Sequence, residues 1–232
     1  KNIVTVHDIS WLKYPNFFLK EEIDYFNLYF NKSLNQSSKI ITHSNFVKNE
    51  IHKNFKYPLE NINVIYEDLR FRFEVLKENQ CTSFLGKFNL KYKNFFLIIN
   101  TLEERKNFHF IINVYNSLDK KIKKNYPLII AGMLGRKSST ILDLIKKTDN
   151  CYYIGYLEEG YLNQCYSSAK IFFYPSLYEG FGISPLEAMS SGTPVVCSEI
   201  ESSREILKNS AILINLNNKK EWINKISQIV ED

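Results

Sequence analysis

A doubly wound α/β protein built from parallel βαβ units is what this sequence predicts, and three observations carry the prediction. Short apolar runs recur along the chain, each followed by a longer stretch with helical spacing. Seven of the eight glycines lie between Gly132 and Gly192, close to expected strand ends, where bare backbone can approach a ligand. The run from Tyr174 to Val196 reads as the end of a buried strand, a glycine-rich loop, a helix start with Pro185 suited to the first helical position, and the next strand.

Taken in order, the first strand covers 2–7 and ends at His7. A helical stretch near 21–36 leads to a strand at 39–42. The next helix, near 45–54, has Ser44 or Asn45 placed to accept from its first amides, and a third strand follows at 62–65. Residues 67–94 show little periodicity and more charge, so a linker or a functional insertion is expected there. Strands resume near 95–99, 127–131, 151–154, 170–174, 194–197 and 211–214, each with a helical pattern behind it, the last near 218–230. Six strands suffice for a complete doubly wound domain, whereas three are about half of one. The expected organisation is therefore the second part of a first domain over residues 1–72, a linker or insertion over 73–94, and a second domain over 95–232.

At 232 residues with 44% hydrophobic content, the chain can bury a sizeable core. Its formal charge of +5 is modest. The densest basic cluster, Lys120, Lys121, Lys123 and Lys124, is expected to close a helix, where cations are ordinary; no basic stripe suggests nucleic acid as a partner. Cys81, Cys151, Cys165 and Cys197 lack paired metal-ligand spacing, and a reduced, cytoplasmic setting fits them. No apolar run approaches the roughly 20 residues that cross a bilayer, and no secretory signal is present, so any membrane contact is expected to be peripheral, at the inner face.

Chemistry concentrates in the run Tyr174-Pro-Ser-Leu-Tyr-Glu179-Gly180-Phe181-Gly182-Ile183-Ser184-Pro-Leu-Glu187, which holds two acids eight positions apart and bare amides at one strand end. In an open parallel sheet this end forms the ligand crevice, and a helix start there attracts phosphate. Read locally, Ser184-Pro-Leu-Glu187 is also a capping box, Glu179 a loop acid, Arg105-Lys106 a basic turn, and His7 a histidine at a strand end.

The run resembles the glutamate signature of retaining GT-B glycosyltransferases, in particular the large family-4 group (glycosyl transferases group 1) that includes bacterial mannosyltransferases. Other pieces fall in the same order: Val4-Thr-Val-His7-Asp8, Ile40-Ile-Thr-His-Ser44-Asn-Phe, Asn61-Ile-Asn-Val-Ile-Tyr66, Thr101-Leu-Glu-Glu-Arg105-Lys106-Asn107, Ile129-Ile-Ala-Gly132 and Tyr153-Ile-Gly155-Tyr. The resemblance implies a GT-B fold, with residues 95–232 as a C-terminal, Rossmann-like nucleotide-sugar-binding domain lacking its final return helix and residues 1–72 as part of the acceptor-side domain.

The same resemblance implies transfer of a sugar, with retention of configuration, from a GDP- or UDP-sugar, GDP-mannose favoured, to a glycan or lipid-linked acceptor in polysaccharide or lipopolysaccharide biosynthesis. Glu179 would hold the transferred sugar with the amides around Phe181, Gly182 and Ile183, beside Gly180. Glu187 would bind the ribose, Arg105 and Lys106 the diphosphate, and His7 would stand beside the sugar. No metal or other cofactor is expected: the chain has no Asp-x-Asp pattern of the kind metal-dependent transferases use to hold a diphosphate. Two positions depart from the family pattern, Asn100 in place of a glycine and Glu67-Asp68 in place of Asn-Gly. Two other readings fit the residues: a GT-B epimerase or phosphorylase, and a noncatalytic nucleotide-binding fragment.

Overall fold

The computed structural model describes residues 2–70 and 72–231. They divide into two compact units. One comprises Lys1–Asp68, Tyr178–Gly182 and Ile200–Lys208; the other comprises Leu69–Leu177, Ile183–Glu199 and Asn209–Asp232.

In the first unit, strands β1 (Asn2–Thr5), β2 (Ser37–Thr42) and β3 (Ile62–Val64) form a parallel sheet in the order β1-β2-β3. The first strand stops at Thr5, short of the expected 7, although the Val6 amide still donates to Ile41 O at 2.9 Å. Helices α1 (Ser10–Lys13), α2 (Lys20–Gln36) and α3 (Asn45–Phe55) accompany the sheet. A core of Val6, Ile9, Leu34, Ile40, Val47, Ile51 and Ile62 is packed by Phe30 and Phe55. Ser44 caps α3 by accepting from Val47 N at 3.2 Å.

The second unit holds β4 (Phe96–Ile99), β5 (Leu128–Ala131), β6 (Cys151–Tyr153), β7 (Ile171–Tyr174), β8 (Val195–Ser198) and β9 (Ile212–Ile214), all parallel, in the order β6-β5-β4-β7-β8-β9. Numbered within the unit this is 3-2-1-4-5-6, the doubly wound order, with the switch point between β4 and β7. Strands buried on both faces must be apolar throughout. Phe96, Leu97, Ile98, Leu128, Ile130, Ile171, Phe172 and Phe173 accordingly have no exposed surface.

Between the strands run α4 (Thr82–Phe88), α5 (Phe108–Asn116), α6 (Lys120–Asn125), α7 (Ser138–Lys146), α8 (Glu159–Ser168), α9 (Ile183–Ser190) and α10 (Glu201–Leu207), and α11 (Lys219–Glu231) follows β9; α10 belongs to the first unit. Trp222 of α11 is fully buried and meets Phe110 edge-on at 5.4 Å.

Two local stretches are more structured than their sequences announce. The stretch 67–94, which shows little periodicity, contains a helix: α4 buries Phe84 and Leu85 and ends at Asn89 in the left-handed region. Fewer than two turns, with apolar residues at Phe84, Leu85 and Phe88 alone, are too short for a sustained period to show. The lysine cluster makes up a short helix of its own, α6, with Lys123 and Lys124 in its last turn; Asp119 caps its start by accepting from Lys121 N at 2.7 Å. Lys123 Nζ then donates to Asn116 O at the end of α5, at 3.0 Å, so one of these cations does serve a helix C-terminus.

Candidate functional site

In the first unit, His7 follows β1 and His43 follows β2, while Tyr178–Gly182 packs beside them as a separate segment. A Cβ built on Gly180 would lie 2.0 Å from His7 O and 3.0 Å from Asp8 Cβ, so only glycine allows this approach. Ser44 Oγ donates to Gly180 O at 2.6 Å. Sequence positions 173 apart, His7 and Gly180, thus become backbone neighbours, and Glu179 sits next to them, buried at 7% exposure. Phe181 is buried and its ring lies 6.1 Å from that of Tyr66; Gly182 has φ of 101°. Asp8 serves the local turn: its Oδ1 accepts from Ser10 N at 2.8 Å and Ser10 Oγ at 2.6 Å.

Glu205 of α10 was not singled out by the sequence. Its carboxylate accepts from Asn45 N (2.7 Å), Phe46 N (2.8 Å), Asn45 Nδ2 (3.0 Å) and Tyr66 Oη (2.9 Å), so an acid occupies the start of α3 and its free amides. No local pattern around Glu205 announces this, because its partners come from α3 and the chain after β3.

In the second unit, Arg105 and Lys106 lie on a single 3-10 turn, Glu104–Lys106, beyond β4. The Arg105 carbonyl accepts from Leu177 N at 2.9 Å, which ties this turn to the chain leaving β7. Lys106 is 8% exposed, with Nζ 5.9 Å from the Tyr174 ring centroid. Asn107 holds the capping position of α5 in the left-handed region (φ 58°) without a side-chain bond to the helix.

Helix α9 begins at Ile183, two residues earlier than expected, so Pro185 is not its first residue but still lies inside the first turn, where its missing amide costs no helical bond. Glu187 does not close a capping box on Ser184. Its Oε2 instead accepts from Tyr166 Oη of α8 at 2.8 Å. Burial pushes the Glu187 carboxyl above its ordinary range, and the Tyr166 hydroxyl partly offsets this. Burial, and then the neighbouring carboxylate, push Tyr166 far upward. Nothing local in the sequence pairs residues 21 positions apart on different helices.

Glu187 also lines a cavity of about 270 Å³ at the carboxyl ends of β4 and β5, with Asn100, Thr101, Gly132, Tyr156 and Ser184 among its walls. Tyr156 and Met133 are well exposed at this cavity. The Asn100 Nδ2 is buried and has no hydrogen-bond partner among the described residues. The cavity can therefore offer an aromatic face, a spare amide donor and a desolvated acceptor. Of the sequence-derived candidates, His7, Glu179, Gly180, Phe181 and Gly182 belong to the first unit and Arg105, Lys106, Ile183 and Glu187 to the second.

Comparison with known proteins gives a consistent picture. The O-antigen chain mannosyltransferase B of Escherichia coli is 31% identical over 233 residues, 99% of this chain and 61% of that protein. The O-antigen chain mannosyltransferase RfbU of Salmonella typhimurium is likewise 31% identical, over 97% of this chain and 60% of that protein. The chain thus spans about three fifths of the length of these curated relatives. The crystal structure of Anabaena Alr3699/HepE in complex with UDP and glucose superposes with a TM-score of 0.81 at 17% identity, covering 99% of this chain and 62% of that one. The fold class is that of the GT-B glycosyltransferases. The family model for glycosyl transferases group 1 matches residues 84–232, and the chain belongs to that family.

Proposed function

We propose that this chain serves a retaining glycosyltransferase that takes a sugar from a nucleotide-sugar donor, with GDP-mannose the favoured donor, and passes it to a glycan or lipid-linked acceptor in surface-polysaccharide biosynthesis. The observation that carries the reading is the cavity beyond β4 and β5, where the partly buried Glu187 carboxylate is left with one donor, Tyr166 Oη. Two ribose hydroxyls would supply the donors that burial has removed. Tyr156 offers its face to a base, and the spare Asn100 Nδ2 offers a donor. Kinship with O-antigen mannosyltransferases favours mannose.

In this reading Arg105 and Lys106 hold the diphosphate without a bridging divalent ion. They stabilise the charge that develops on it as the glycosidic bond breaks. Glu179 and the amides of Phe181, Gly182 and Ile183 orient the sugar hydroxyls, Gly180 keeps that loop against the backbone of His7, and His7 donates to the sugar. The acceptor oxygen attacks the anomeric carbon on the face the diphosphate leaves, and the acceptor proton passes to the departing diphosphate. A glycosidase uses paired carboxyl groups as acid and nucleophile or base; here the two glutamates are binding groups.

The test combines labelled GDP-mannose, UDP-sugars and the two glutamate variants. The expected product carries the donor's anomeric configuration by NMR and forms without added magnesium or manganese; an inverted product sinks retention. Glu179→Gln should spare GDP binding and abolish transfer. Glu187→Gln should weaken GDP binding by roughly 1.5–3 kcal/mol, the range for bonds to charged groups. Its effect on stability has the opposite sign. With a raised folded-state pKa, the stabilising contribution of Glu187 is present below the ordinary carboxylate pKa and is lost as pH rises through the folded value. At pH 7 glutamine should therefore leave the melting temperature unchanged or raise it. Undiminished GDP binding by Glu187→Gln would remove the residue from the ribose site.

Peripheral membrane contact is proposed through α2, where Tyr25, Leu28 and Tyr29 are exposed while Phe26 and Phe30 turn inward onto Trp11. No helix among the described residues is long and apolar enough to cross a membrane. Vesicles with anionic lipid should float the protein at low salt, and Tyr25→Ser with Leu28→Ser should reduce that several-fold; equal flotation of the variant would rule out this face.

A further inference from the structure

We propose that His7, His43 and Glu67 form a binding site for a divalent transition-metal ion of the zinc and cobalt class. The three residues follow β1, β2 and β3, so the parallel order of the sheet sets them side by side at its carboxyl end, with His43 on the central strand. The Glu67 Oε1 lies 3.5 Å from His43 Nε2 and 3.7 Å from His7 Nδ1. One donor atom from each residue falls within 4.8 Å of the other two. Around an ion with bonds of about 2.0–2.1 Å, tetrahedral donors stand roughly 3.3 Å apart. Small rotations close the set, and His7, with a side chain 74% exposed, is free to make them.

Two further observations point to a ligand. The His43 Nε2 is buried and makes no hydrogen bond among the described residues; its 3.5 Å approach to Glu67 meets the distance of an ion pair but lacks hydrogen-bond alignment. A buried ring nitrogen without a partner is costly unless something else occupies it. The opposite ring nitrogen, Nδ1, lies 3.1 Å from Ile65 O. A proton on Nδ1 donated to that carbonyl leaves the Nε2 lone pair directed at the cluster, the outer-shell arrangement that orients metal-binding histidines.

The donor chemistry is selective. Two imidazoles and one carboxylate suit zinc, cobalt or nickel better than magnesium or calcium, which prefer all-oxygen shells. Three protein donors leave a position open for water or another oxygen ligand. The site shares His7 with the proposed sugar contact. Coordination through Nδ1 would leave the His7 Nε2–H to donate; that clause alone rests on the transferase reading, and ion binding does not. The ion takes no part in holding the diphosphate.

The experiment is a titration of the tag-free, chelator-stripped full chain with cobalt(II) alone, followed by visible absorption. One equivalent should produce an intense band of low-coordinate cobalt, and zinc should displace it. Removing an outer-shell partner typically costs about 10- to 100-fold in metal affinity. Loss of a donor in His43→Gln or Glu67→Ala should cost at least the upper end of that range, while His109→Gln, altered at an exposed histidine of α5 in the second unit, leaves binding unchanged. Circular dichroism of the metal-free variants checks folding. If His43→Gln fails to fold, Glu67→Ala, altered at a partly exposed side chain, carries the test. Absence of the band in the parent protein, or parental affinity in Glu67→Ala, overturns the site. Neither outcome depends on whether GDP binds or sugar is transferred.

Discussion

Replacing Gly132 by alanine should destabilise the second unit by about 3 kcal/mol or more. The residue follows β5 with φ of 138°, and a Cβ there would lie 1.9 Å from Asn100 O and 2.6 Å from Asn100 C. Its neighbours cannot yield cheaply. The Gly132 amide donates to Gly155 O at 2.9 Å and its carbonyl accepts from Tyr153 Oη at 2.7 Å, so movement breaks bonds on both sides. Overpacking costs about 1–3 kcal/mol and a sparsely populated backbone conformation about as much again. Gly155→Ala is the control. It also has positive φ (83°) but nothing within 4 Å of the added carbon, so it should show only the backbone component, about 1–3 kcal/mol. Chemical denaturation of both variants distinguishes the two contributions. Equal losses would mean that the contact with Asn100 is relieved without cost. Because Gly132 and Asn100 both line the cavity, GDP binding by the folded Gly132→Ala protein should weaken as well.

The second large effect is expected from Lys106→Ala, which should weaken binding of GDP by roughly 1.5–3 kcal/mol, a factor of about 10 to 150. Lysine is rarely this buried, and its ammonium lies beside the Tyr174 ring at the end of β7, next to the switch point of the sheet. Calorimetry with GDP and with guanosine separates the roles. Loss for the diphosphate but not for the nucleoside assigns the lysine to phosphate; equal affinity of variant and parent for GDP removes it from the site. A parallel melting curve tests whether the cation is instead needed for the fold.

Much of the fold was legible in the sequence because parallel strands must be apolar along their whole length. The runs at 95–99, 127–131 and 170–174 announce themselves for that reason, and β4, β5 and β7 fall within them. The glycines near strand ends were legible too, since close backbone approach admits few other residues, and Gly132 and Gly180 meet Asn100 and His7 there. Short elements were not. Helix α4 repeats too few times to show a period, and α6 reads as a continuation of α5 until Asp119 is seen to cap it.

By itself, the sequence determined the order of strands and helices and the family to which the chain belongs, since both are written in local composition and in motifs of contiguous residues. Tertiary structure alone decided the partners of the polar groups. Glu187 satisfies a local capping pattern, yet its carboxylate accepts from Tyr166, because a buried hydroxyl carried on a neighbouring helix reaches it. Glu205 finds the start of α3, and His7, His43 and Glu67 converge from three separate strands. Helical and strand periods report which face of an element is apolar; they hold no information about which distant donor or acceptor a sheet's strand order will set beside it.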